Sequence, residues 1–203
     1  MWAIIPVKPF SIGKSRLVGL LSDSERIALN RRLFLNTLDV LEAVGEFSGL
    51  IVVSRDPEVL SIAEARDIFG LCEDINSDLN NALELASKAA IAEGAAAVLV
   101  TPADLPAVRP GDVKAVVDAA SHTHCVVIAP DRHRRGTNAL LVSPPGLISY
   151  GFGENSFQRH LDAARHAVAE VVVIENFGIS FDIDNPEDYE LSGMPGGDYF
   201  SIL

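Results

Sequence analysis

An α/β fold built on a mostly parallel sheet is what this sequence predicts, and three observations predict it. Several runs of Val, Ile and Leu are continuous rather than alternating, as in IIPV, LIVV, AVLV and CVVIA. Strands buried on both faces read this way, because helices cover each side of a parallel sheet. Between these runs lie segments of helical period with recognisable start signals. Run and helix alternate along the chain, the pattern of a Rossmann-like, three-layer α/β/α arrangement.

In order, Trp2–Val7 is a short apolar strand ended by proline and basic residues. A helix follows Ser22, with Glu25 three positions on as its capping-box partner, and carries Ile27, Leu29, Leu33, Leu35, Leu38 and Leu41. Gly49–Ser54 is the second strand, and Asp56-Pro57 opens a helix reaching about Ile68. Asn81–Glu93 is an alanine-rich helix, and Ala95–Pro106 is a strand running into an acidic turn bracketed by prolines. Pro110 starts a helix to about Ala120, Cys125–Asp131 is a strand, and Asn138–Ser143 is a shorter one. Ser156–Ala167 is helical, Glu170–Glu175 is a strand, and Asn185–Ser192 is a last short helix. The tail GMPGGDYFSIL reads as irregular, and no internal repeat occurs. Residues 1–203 are thus expected to form one domain.

Composition narrows the function classes. A net charge of −12 argues against general nucleic-acid binding, which needs a basic face. No run approaches eighteen apolar residues and no basic-then-apolar leader begins the chain, so neither a membrane span nor export is expected, and a cytoplasmic setting is. Cys72 and Cys125 read as small buried hydrophobes, too few and too isolated for a disulfide framework or a zinc site. The five histidines show no metal-ligand spacing, and no Ser/His/Asp set stands out. Against this acidic background Lys8, Lys14 and Arg16 cluster in one loop, and Arg132, Arg134 and Arg135 in another. Local basic patches on an acidic protein suit small anionic ligands.

The first of these loops contains GKS, the end of the phosphate-binding pattern G-x-x-x-x-G-K-[ST]. Lys8 stands where that pattern requires its first glycine, so the match fails. In open α/β sheets ligands gather at the carboxyl ends of the strands. Those ends here carry Lys8, Lys14 and Arg16, then Ser54 and Asp56, then Thr101 and Asp104, then Asp131, Thr137 and the arginines. FDIDNPED adds Asp182 and Asp184. Magnesium takes hard oxygen ligands, usually one or two carboxylates plus phosphate oxygens. Asp104 and Asp184, brought together by the sheet, would repel without a cation between them. The loop cations would neutralise a departing pyrophosphate, as phosphoryl or nucleotidyl transfer requires. Each residue also has a structural reading: Asp104 as a turn cap, Asp182 and Asp184 as caps of the last helix, Lys14 and Arg16 as solvated charges.

IPVKPFSIGKSRL, VVS followed by D-P, LNNAL, TPADLP, APDRHRRGTNALL, FGENSFQRHL and DIDNPEDY fall in order along nearly the whole chain. Together they resemble the guanylyltransferases that make the precursor of the deazaflavin coenzyme F-420, acting on 2-phospho-L-lactate, phosphoenolpyruvate or 3-phosphoglycerate. The resemblance implies a nucleotide-diphospho-sugar transferase type of fold and transfer of GMP from GTP to a small phosphorylated acid, with pyrophosphate released. It implies Mg²⁺ on Asp104 and Asp184, and a triphosphate gripped by Lys8, Lys14 and Arg16. It implies an acceptor bound by Thr137, Gly153 and Ser156, the last opening a helix whose N-terminus favours anions. Ser54 and Asn80 are the candidates for the guanine side, and family analogy makes a homodimer the expected assembly. Two departures stand out: INSD precedes LNNAL where the family has glycines, and HRRGTN carries extra arginines. Related enzymes that use molybdopterin or polyol phosphates begin instead with a glycine-rich A-G-G-x-S-x-R-type loop. A regulatory module that kept the fold and lost catalysis is the reading from a different class.

Overall fold

A computed structural model describes residues 1–74, 78–120 and 122–193. Its centre is a seven-stranded sheet: β1 (Trp2–Pro6), β2 (Gly49–Ser54), β3 (Phe69–Cys72), β4 (Val98–Val100), β5 (Cys125–Pro130), β6 (Thr137–Ser143) and β7 (Glu170–Val173). They lie in the order β3-β2-β1-β4-β6-β5-β7, and β6 alone runs antiparallel to both neighbours. The sheet is therefore mixed but mostly parallel. Helices α1 (Asp23–Val44), α2 (Pro57–Glu64), α3 (Leu79–Ala92), α4 (Pro110–Asp118), α5 (Ser156–His166), α6 (Phe177–Ser180) and α7 (Pro186–Leu191) flank it.

Strand pleating divides the core into two layers. Ala3 and Ile5 face one side with Phe34 and Leu38 of α1, Val59 of α2 and Val113 of α4. Ile4 faces the other with Leu83 and Ala86 of α3 and Phe157 and Ala164 of α5. β1, β4, β5 and β6 are interior strands whose central residues are almost wholly buried, which is why they read as unbroken apolar runs. The capping box of α1 forms as expected, Ser22 accepting from the Glu25 amide while Glu25 accepts from the Ser22 amide.

The structure corrects several expectations. α2 ends at Glu64 rather than near Ile68, because the chain turns through Asp67 at φ 57° and enters β3. β3 escapes sequence reading because it is a four-residue edge strand with three exposed residues. It also leaves Cys72 exposed, whereas Cys125 is buried in β5 as expected. β6 is the longest strand at seven residues, not a short one. α6, a single turn, is new. Of the tail GMPGGDYFSIL only Gly193 lies within the described residues, and most of INSD, residues 75–77, lies outside them. Among the described residues no helix is long and apolar enough to cross a membrane.

Candidate functional site

Buried anchors bring the charged segments together. Leu17 follows Lys14 and Arg16 in a short 3-10 turn, and Ile183 sits between Asp182 and Asp184. Both are fully buried in one cluster with Leu29 and Leu33 of α1. Burying two large apolar side chains side by side fixes the flanking charges at one rim of the sheet. Leu105, also buried, does the same for Asp104 beyond the end of β4.

The first loop is held from outside. The Ile12 and Gly13 amides donate to the Pro9 carbonyl at 3.0 and 3.1 Å. Asn30 donates to the Phe10 carbonyl at 2.8 Å, and the buried Arg26 donates to the Gly13 carbonyl at 3.0 Å while pairing with Asp23 at 2.6 Å. Asp56 caps α2 through the Glu58 amide and also accepts from the Phe10 amide at 2.9 Å. A Cβ on Gly13 would lie 2.5 Å from Asn30 Nδ2, so the glycine of GKS permits close packing against α1. Lys14, at φ 53°, then turns its side chain inward.

Lys14 Nζ lies 2.8 Å from Asp104 and 3.8 Å from Asp184, and Arg16 lies 3.5 Å from Asp184. Burial opposes the Lys14 charge, but Asp104, Asp184 and Asp182 outweigh it and hold the ammonium above its ordinary value. Asp182 shows the converse. Burial, then the negative charges of Asp104 and Asp184, push its carboxyl up to about 7. Lys14, Arg16, Asp104 and Asp184 border a cleft of about 570 Å³, lined also by Lys8, Arg55 and Leu79. That volume lies in the range of small-ligand sites.

A second, uncharged cluster lies where β6 begins. Because β6 is reversed, its first residues meet the carboxyl ends of β4 and β5, and Thr101 donates to the Asn138 carbonyl at 3.1 Å. Thr137 Oγ1 is 2.9 Å from His160 Nδ1, and the Gly151 amide donates to His160 Nε2 at 3.0 Å. His160 is fully buried on α5, and burial, with Arg159 second, lowers its pKa to about 4. Phe152 meets its ring edge-on at 4.8 Å. Asn80 grips Phe152 twice, accepting from its amide at 2.8 Å and donating to its carbonyl at 3.2 Å.

A family profile described as "Guanylyl transferase CofC like" matches residues 1–200. The chain belongs to that guanylyltransferase family. It is 40% identical over 197 residues to the phosphoenolpyruvate guanylyltransferase of Rubrobacter xylanophilus, covering 97% of this chain and 95% of the relative. It is 36% identical over 186 residues to the 2-phospho-L-lactate guanylyltransferase of Methanothermobacter thermautotrophicus, covering 92% and 81%. Among solved structures, a nucleotidyl transferase from the same archaeon superposes with a TM-score of 0.69 at 16% identity, covering 94% of each chain. The 4-diphosphocytidyl-2C-methyl-D-erythritol synthase of Anaerococcus prevotii gives 0.64 at 14% identity, covering 94% and 93%. These two likenesses concern the fold.

Against the family's motifs, the structure brings Lys8, Lys14, Arg16, Asp104 and Asp184 to one cleft. Ser54 and Asn80 do not line it. Ser54 is fully buried, its hydroxyl accepting from the Asp56 amide at 3.1 Å, and Arg55 faces the cleft in its place. The Asn80 amide is engaged with Phe152. Thr137 belongs to the uncharged cluster. Ser156 starts α5, but its amide donates to the Gly153 carbonyl at 3.1 Å and that of Phe157 to the Arg135 carbonyl at 3.2 Å. Two leading donors of that helix are thus already used. In the arginine loop, Arg132 pairs with the buried Asp188, and of the two extra arginines Arg134 pairs with Glu175 while lying over the Phe157 ring. Asp188 also accepts from the Asp184 amide at 2.9 Å, so it steadies the backbone that carries Asp184. Sequence reading passed over Arg26, Asn30, His160 and Asp188 as site-forming residues. For Arg26 and Asn30 the signal was a polar residue on a core-facing helix, whereas His160 and Asp188 lie within FGENSFQRHL and DIDNPEDY.

Proposed function

We propose that the chain transfers GMP from GTP to the phosphate of a small phosphorylated carboxylic acid, as in the formation of the coenzyme F-420 precursor. The carrying observation is the Lys14 ammonium held between Asp104 and Asp184 at the rim of the cleft. A phosphate oxygen of the acceptor attacks the α-phosphorus of GTP, a new P–O bond forms, and the α–β bridge breaks to release pyrophosphate. That oxygen is already anionic, so no general base is required. Lys14, Arg16 and Lys8 supply positive charge where it builds on the leaving group.

The donor set suits Mg²⁺. Asp104 and Asp184 are hard oxygen ligands, and a cation, the Lys14 ammonium, already bridges them. An ion of this kind usually keeps phosphate oxygens among its ligands. Asp104 and Asp184 would hold it. When bound, Mg²⁺ would offset phosphate charge. Phosphoenolpyruvate is the first acceptor to try, because relatives of that name share 40% and 38% of aligned residues, against 36% for one named for 2-phospho-L-lactate.

The test is pyrophosphate release from GTP and Mg²⁺ with phosphoenolpyruvate, 2-phospho-L-lactate or 3-phosphoglycerate. Turnover with one acid, reduced on the order of a thousandfold in Asp104→Asn and Asp184→Asn, is the expected result. Tight GTP binding without release from any acid would favour the regulatory reading instead.

A further inference from the structure

The uncharged cluster contains an arrangement that sets the polarity of one hydroxyl. A neutral imidazole carries one proton, and which nitrogen bears it follows from what faces the other. Gly151 presents an amide, which only donates, to His160 Nε2 at 3.0 Å. Nε2 must therefore be the acceptor, and the ring proton sits on Nδ1. Nδ1 is 2.9 Å from Thr137 Oγ1, so that hydroxyl accepts from the ring. Its own hydrogen is left to be donated elsewhere. Full burial keeps the ring neutral, and a neutral ring retains one tautomer.

We propose that His160 is a positioning residue for the acceptor: held by the Gly151 amide, it donates to Thr137 and so commits the Thr137 hydroxyl to donate to an anionic oxygen of the phosphorylated acid. This rests on the guanylyl-transfer reading, in which Thr137 contacts the acceptor. The sign of the effect depends on the tautomer. With the proton on Nε2, Thr137 would donate to the ring and turn lone pairs toward the substrate, repelling a phosphate or carboxylate. Asn80 completes the arrangement, because its double grip on Phe152 fixes the adjoining Gly151 amide against the ring. The segment 150–153 therefore acts on the acceptor through hydrogen bonds routed by His160.

Two measurements test this. Long-range ¹H–¹⁵N correlation on the ligand-free protein reads the His160 tautomer directly. A proton on Nδ1 is expected, and a proton on Nε2 overturns the inference whether or not turnover is seen. Steady-state kinetics then use substitutions that each keep half of the imidazole. An asparagine amide reaches the Nδ1 position and a glutamine amide reaches the Nε2 position. His160→Gln, like Thr137→Val, should raise the KM for the acid about 10- to 100-fold, the loss of a hydrogen bond to a charged group, while the KM for GTP stays unchanged. His160→Asn should lose less than His160→Gln. The double variant Thr137→Val/His160→Gln should be no worse than Thr137→Val alone. Additive losses, or the reverse order of the asparagine and glutamine variants, would mean that His160 only anchors Gly151, and would sink the inference. Absence of turnover with every acid breaks the guanylyl-transfer reading instead, and leaves the tautomer measurement to decide.

Discussion

The rim around Lys14 and the pocket around His160 lie at the same end of one sheet and are built on opposite principles. Lys14, Asp104, Asp184 and Arg16 hold one another by charge, and the two carboxylates remain partly open to solvent. Around His160 the polar contacts are hydrogen bonds between neutral groups, and the ring itself is fully buried. The first arrangement suits a ligand whose charge changes during reaction, since preset charges stand where it builds. The second suits a ligand that must be oriented, since a neutral network fixes direction without adding charge. On the proposed reading, one chain thus divides its ligand recognition between compensation and aiming.

Breaking the charged side should have the largest effect. Lys14→Met removes the bridging cation and is expected to lower kcat by about 10²- to 10³-fold, the usual loss for a group that meets developing charge. Lys14→Arg should recover part of it, and pyrophosphate release measures both. An unchanged kcat in Lys14→Met would place the charge compensation elsewhere.

The neutral side should reveal itself in acid. His160 has its pKa lowered from 6.5 to about 4 in the folded protein, so the unfolded chain binds more protons between those values. Folding stability is then free of this penalty above pH 6.5, falls as pH drops below it, and levels off below about 4. At about 1.4 kcal/mol per pH unit the loss is about 3 kcal/mol. Urea unfolding of the wild type against His160→Asn across this window should show that component only in the wild type. Parallel pH profiles would mean the ring is charged when folded.

Two smaller effects sharpen the contrast. Gly13→Ala forces a Cβ against Asn30 and should destabilise by about 1–3 kcal/mol, read as a Tm lowered by several degrees. Because Asn30 holds the Phe10 carbonyl, activity should fall with it. Arg134→Ala removes an exposed pair with Glu175 and a contact over Phe157, and should change stability by no more than about 1 kcal/mol. A large loss of activity in Arg134→Ala would show that the arginine loop reaches the acceptor after all.

The same division explains what could be read from sequence. Continuous apolar strands, the Ser22–Glu25 box and the charges at the strand ends are local patterns, and each was legible. Lys14, Asp104 and Asp184 were found because charged residues at buried-strand ends are conspicuous and matched motifs carry them. β3 was hidden because an exposed edge strand lacks the apolar run that marks an interior one. His160 was hidden for a different reason. Its meaning depends on Gly151 and Thr137, placed beside it by α5 packing on the sheet, and no spacing along the chain announces that. Arg26 likewise reads as one more helical charge until its guanidinium is seen buried under the first loop. Ser54 was the reverse case, a polar residue at a strand end whose hydroxyl is spent on the turn that follows.

The reversal of β6 separates inheritance as well as space. The cations of the cleft come from the first loop of the chain, whereas Thr137 enters the same rim from a strand pointing the other way, followed by the segment that carries Gly151 and His160. On the proposed reading, acceptor preference would sit on a contiguous stretch, apart from the residues that meet the triphosphate. A graft of residues 131–166 between family members named for different acids should carry the acid preference with it, provided that residue 80 travels too, because its amide holds the Phe152 backbone from outside the stretch.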